Sequence, residues 1–196
     1  MNRTKTLLVS STVLAATLAL AGCSASSSSG SGMSGMGHSS SAAASDSFND
    51  QDVTFAQMML PHHKQAVEMS DMLLAKGSSV NADVVALAEK IKAEQSPEII
   101  KLSGWLKDWN QSSAGMSGSM SGMMSDGDMA ALDKASGADG GKLFLTQMMQ
   151  HHTGAITMAK TEVTKGKNAD AVALAKSIVS SQSAEITQMK DLLASL

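Results

Sequence analysis

The chain has 196 residues and a formal net charge of −3 with no Lys/Arg cluster, which argues against nucleic acid or another phosphate-rich partner. Two Trp, three Phe and no Tyr leave the core to Leu, Ile, Val, Ala and Met, and sixteen methionines are the strongest compositional anomaly. The length suits one domain.

The chain opens with the basic segment MNRTK (Arg3, Lys5), followed by LLVSSTVLAATLAL, an apolar run of signal-peptide length and short for a permanent membrane span. It ends in LAGC, and small residues before a cysteine are the pattern a bacterial lipoprotein peptidase cleaves. Residues 1–22 are expected to be removed and Cys23 to be lipidated. The protein is then extracytoplasmic, lipid-anchored to the outer face of the cell membrane or on the periplasmic side of the envelope. Loss of Arg3 and Lys5 takes the side-chain charge from −3 to −5. With Cys23 consumed, no thiol remains for catalysis, disulfides or metal. Residues 23–47 form a Ser/Gly/Met tether with nothing to drive collapse, and residues 111–128 a second Met/Gly/Ser linker.

Between and after these stretches lie two copies of one unit. FAQMMLPHHKQAVEMSDMLLAKG (55–77) aligns with FLTQMMQHHTGAITMAKTEVTKG (144–166) at an offset of 89, and NADVVALAEKIKAEQSPEI (81–99) with NADAVALAKSIVSSQSAEI at an offset of 87. Each copy reads as a helical hairpin, residues 48–110 and 129–196. Phe55, Met59, His62, Ala66, Met69 and Leu73 are spaced 4, 3, 4, 3, 4, the seam of an antiparallel bundle. Gly77 and Gly166 are placed as C-caps, and Asn81 and Asn168, or Asp83 and Asp170 two positions on, are placed to start the second helices. Pro61 and Pro97 are expected to kink or open their helices. The fold class is all-α, a ferritin-like four-helix bundle made of two duplicated hairpins, spanning 48–196.

His62 and His151 stand in the seam where leucine is ordinary, with Met59 and Met148 three residues earlier on the same face. His63 and His152 point about 100° further round, towards a flanking helix or solvent. Pairing Leu73 with Val84 across the turn sets Gln95 opposite His62 and Glu98 opposite Met59. The second hairpin repeats this with Gln182 and Glu185. Thioether and imidazole together suit Cu(I), whereas iron, magnesium and calcium sites want carboxylates. A seam methionine is usually core filler. Here, however, GMSGMGH (32–38) and GMSGSMSGMM (115–124) add six methionines and His38 among Ser and Gly, where no core is expected. No Glu-x-x-His, HExxH or GxSxG occurs, so no enzyme is indicated.

With DVTFAQMMLPHHKQAVEMSDMLL, LAEKIKAEQSPEIIKLSGWLKDW and FLTQMMQHHTGAITMAKTEV, the chain resembles, over residues 48–196, the ferritin-like bacterial family catalogued as domain of unknown function number 305. The resemblance implies extracytoplasmic bundles, some of them copper-binding proteins contributing to copper tolerance. It also implies metal roles for Met59, His62, His63 and Met69, and for Met148, His151, His152 and Met158. Gly140 and Gly141 stand where the second half of family members often carries a carboxylate equivalent to Asp52, so none is expected at the second site. The reading is therefore a non-enzymatic lipoprotein that sequesters or transfers Cu(I)/Cu(II), its partners being copper ions, the membrane and a copper-transfer protein. Two soft clusters are expected, Met59 with His62 and His63, and Met148 with His151 and His152. Met69 and Met158 lie about 10 Å along the helix from the seam histidines and belong to separate or auxiliary sites, with Met72 beside Met69. The alternative is a non-metal bundle at the envelope that presents a Met-lined groove to a partner helix.

Overall fold

A computed structural model describes residues 47–114 and 120–196; the signal segment, Cys23, His38 and Met116 lie outside the described residues. Among the described residues there are five α-helices and no strand: α1 (Asp50–Leu74), α2 (Ala82–Asp108), α3 (Asp126–Lys134), α4 (Gly137–Lys165) and α5 (Ala169–Ser195), with one 3-10 turn at Gly77–Ser79.

Local chemistry sets the ends. Asn49 caps α1 by accepting from the Gln51 and Asp52 amides, while Asp52 accepts from the Asn49 amide at 2.6 Å, a reciprocal capping box. Asn81 and Asn168 cap α2 and α5. Gly77 follows α1 with φ +62°, a conformation that favours glycine. Pro61 and Pro97 sit inside unbroken α1 and α2, so neither opens its helix. One element is missing from the sequence reading: α3 begins within the expected linker, started by a capping box between Ser125 and Asp128.

Helices pair α1 with α2 and α4 with α5, and the hairpins join through α1 and α4. Near the start of α1, Asp52 accepts from the Lys167 and Asn168 amides just past α4. A Cβ on Gly137, at the start of α4, would lie 3.2 Å from the Ser79 carbonyl just past α1. Thus α1 and α4 are antiparallel, and the connection from α2 to α4 passes from one end of the bundle to the other, the single long crossover of ferritin-like folds.

The core is divided in two. One part holds Phe55, Met59 and Leu60 of α1, Leu102 and Leu106 of α2, Met158 of α4 and Ile178 of α5. The other holds Met69 and Leu73 of α1, Ile91 of α2, Phe144 and Met148 of α4 and Met189 of α5. On every long helix a buried polar position falls between the two parts: His62 and His63, Gln95, His151 and His152, Gln182 and Glu185.

Candidate metal centre

All four repeated histidines are fully buried. The His62 and His151 rings meet across the α1–α4 interface, centroids 3.7 Å apart and planes 41° from parallel. None of their four ring nitrogens has a hydrogen-bond partner. The Ser121 carbonyl faces the His62 ring without forming a bond that meets hydrogen-bond geometry. His63 and His152 turn to the other neighbouring helix of each hairpin: His63 Nε2 lies 2.8 Å from Glu98, and His152 Nε2 lies 2.8 Å from Glu185. Their Nδ1 atoms are buried and unpartnered. Gln95 and Gln182, one turn before those glutamates, are buried as well, with both side-chain polar atoms of Gln95 and the Gln182 Oε1 unpaired.

Two expectations change. Side-chain pairing in both hairpins is one helical turn away from the sequence-derived register, so Glu98 and Glu185 hold His63 and His152 rather than facing Met59 and Met148. The two soft clusters are also not separate, because His62 and His151 are in contact at the centre. His63 and His152 are wholly inside, each against a flanking helix. Met59 and Met158 belong to one core half and Met69 and Met148 to the other, so thioethers lie on both sides of the histidine layer. Of the linker methionines, Met124 is buried core and Met120 and Met123 are half-buried, so these three are not a loose tether.

The electrostatics disfavour charge on three of the imidazoles, those of His62, His151 and His152. Burial, reinforced by the neighbouring histidines, pushes His62 down to about 3 and His151 well below the ordinary histidine range. Burial also lowers His152, although Glu185 opposes the shift. Burial acts to raise Glu185, but His152 and Lys90 outweigh it and hold the carboxyl below its usual range. Lys90 Nζ lies 2.7 Å from Glu185 and 3.2 Å from Glu94, and these partners raise its ammonium pKa despite burial.

The crossover covers the α1–α4 face. The Gln65 side chain donates to the Met124 carbonyl at 2.9 Å and accepts from its amide at 2.8 Å. Gly122 (φ +87°) passes so close to Gly154 on α4 that a Cβ on Gly154 would collide with the Ser121 carbonyl. Gln65, Gly122 and Gly154 were not singled out in the sequence; an unpaired glycine inside the α4 pattern is the signal that could have found the crossing.

The family described as Domain of unknown function (DUF305) matches residues 52–193. The chain belongs to this family. A DUF305 protein from Streptomyces coelicolor, described as secreted, is 33% identical, covering 78% of this chain and 95% of that one with a TM-score of 0.70. A DUF305 fragment from Deinococcus radiodurans is 29% identical, covering 76% and 98% with a TM-score of 0.69. CopM in its Cu(I)-bound form is 31% identical, covering 74% and 96% with a TM-score of 0.64. CopM is also solved in Cu(II)- and Ag-bound forms. No functionally curated protein matches the chain. Among the described residues, no three His, Cys, Asp or Glu side chains form a group placed to hold a metal ion, and no helix is long and apolar enough to cross a membrane. What stands at the middle of the bundle is the touching pair His62 and His151, with buried methionines in the core on either side.

Proposed function

We propose that this DUF305 chain is an extracytoplasmic, lipid-anchored copper-binding protein that holds copper as cargo and performs no catalysis. The observation that carries the reading is the set of six imidazole nitrogens, four on His62 and His151 and one each on His63 and His152, that are buried without a partner. A buried polar atom left unpaired costs about 1–3 kcal/mol, so six of them in one layer call for a ligand. The donors suit a cuprous ion: imidazoles, of which those of His62, His151 and His152 are held towards the neutral form, thioethers of Met59 and Met148 one turn away, and no thiol. Glu98 and Glu185 hold the Nε2 atoms of His63 and His152, which leaves each Nδ1 as the free donor and supplies negative charge outside the ligand shell. Met69 and Met158 lie further along their helices as auxiliary donors, and Cys23 carries the lipid. CopM, a relative solved with Cu(I) and Cu(II), supports the choice of metal. The Streptomyces coelicolor relative, described as a secreted protein, supports the location.

Anaerobic Cu(I) titration of the protein beside a His62→Ala/His151→Ala variant tests the reading. The variant is expected to weaken binding by more than the roughly 10–100-fold typical of losing an outer carboxylate. Equal affinities in the two proteins would sink the metal centre.

A further inference from the structure

The duplication makes α2 and α5 equivalent and sets them side by side without extensive contact. Two points on this face lead to the histidine layer. At one, Glu185 is 2% exposed and carries the Lys90 ammonium over it at 2.7 Å. At the other, Glu98 is 18% exposed and stands in a cleft of about 520 Å³ shared with Lys101, Trp105, Asp170 and Ser177. The 87-residue offset makes Glu98 the counterpart of Glu185, and Ser177 the counterpart of Lys90. Where one repeat places a long cation across the gap, the other places a hydroxymethyl group. Glu94, the second anchor of Lys90, is matched by Ser181. The opposite, α1–α4 face is covered by the crossover, held by Gln65 and by the Gly122–Gly154 approach. Three further clefts, on the α2 C-terminal turn and along α4 and α5, touch neither the histidines nor their glutamates.

We propose that the Glu98–Ser177 cleft is the port through which a copper ion reaches the buried histidines, and that Lys90 keeps the equivalent mouth at Glu185 shut. This inference rests on the copper reading above. The port has a carboxylate at its floor that already touches His63 at 2.8 Å. A hard carboxylate holds a soft cuprous ion weakly, so Glu98 captures it without trapping it and the nitrogen donors beyond draw it inward. Glu98 and Asp170 against Lys101 leave the cleft mildly negative. At the other mouth the Lys90 ammonium already lies against Glu185 and occupies the place an arriving cation would take.

The test is the rate of Cu(I) loading, followed anaerobically by stopped flow as the ion leaves a chromophoric chelator, together with the amount bound at equilibrium. Ser177→Lys restores the cation that the symmetry lacks. It is expected to leave the equilibrium stoichiometry unchanged and slow loading by about tenfold, the low end of electrostatic gating. Lys90→Ala opens the second mouth and is expected to speed loading, about twofold if the two mouths become equal. Wild-type rates in both variants, with wild-type stoichiometry, overturn the port and leave the copper reading standing. A wild-type protein that takes up no Cu(I) overturns both.

Discussion

At the end of the bundle where α1 begins, the buried Asp52 accepts from the amides of Asn49, Lys167 and Asn168, and Glu162 lies beside it, also buried. At the other end the duplication puts Gly141 in the place of Asp52 and Leu73 in the place of Glu162, with Val80 and Val84 closing over Gly141. The same backbone junction, a helix start against the turn of the facing hairpin, is held in one case by a carboxylate and in the other by aliphatic packing. The difference shows that the repeat preserves helix placement while leaving the means of holding it free. It also separates what holds the fold from the candidate metal centre, because neither junction contains a histidine.

The sharpest way to break the contrast is to remove the key residue at each end. Asp52→Ala leaves three amides without their acceptor and is expected to cost about 4 kcal/mol. Leu73→Ala removes buried aliphatic volume and is expected to cost about 3 kcal/mol. Denaturant titration reads both, and only the polar end should show a cost that changes with pH. A smaller effect isolates the proton involved. Burial first, then Asp52, raises the Glu162 carboxyl to about 8, with Gln51 opposing. Its folded-state value exceeds the unfolded one, so its stabilisation is complete below about 4.5 and is lost as pH rises through 8. Glu162→Gln, which mimics the protonated form, should therefore match the wild-type Tm near pH 5 and exceed it by a few degrees at pH 8. A constant difference across that range would show that the carboxyl does not titrate as described. Smallest is Gly141→Ala at the apolar end. The added Cβ meets Val80 at 3.4 Å, ordinary contact, and the helical preference of alanine should stabilise the protein by about 1 kcal/mol.

Much of this was legible in the residues. The 89- and 87-residue offsets, the seam through Met59 and His62 and the asparagine caps at Asn81 and Asn168 all follow from local chemistry, and the bundle follows from them. What a seam cannot fix is axial shift: sliding one helix by a turn still packs small and aliphatic side chains against one another, so Glu98 was placed opposite Met59 instead of at His63. The His-His pair also carried more than one direction. A helix in a square bundle has two neighbours about a quarter-turn apart, and α1 spends His62 on α4 and His63 on α2. Composition alone marks the crossover as a Met/Gly/Ser linker and hides the capping box at Ser125 and the burial of Met124. The pairing of Asp52 with Glu162, residues far apart in sequence, left no local trace.

The unlike junctions also bear on how the halves choose each other. Two such similar hairpins could in principle pair like with like, within a tangled chain or between molecules. A pair of first hairpins would set each Asp52 beside Val80 and Leu73 in place of Lys167 and Glu162, burying a carboxyl group against aliphatic side chains at both ends. A pair of second hairpins would enclose Glu162 opposite Gly141, with no Asp52 to meet it. Only the mixed assembly gives every end its match, so the chain carries in two positions the instruction that its first half should recognise its second and decline a copy of itself.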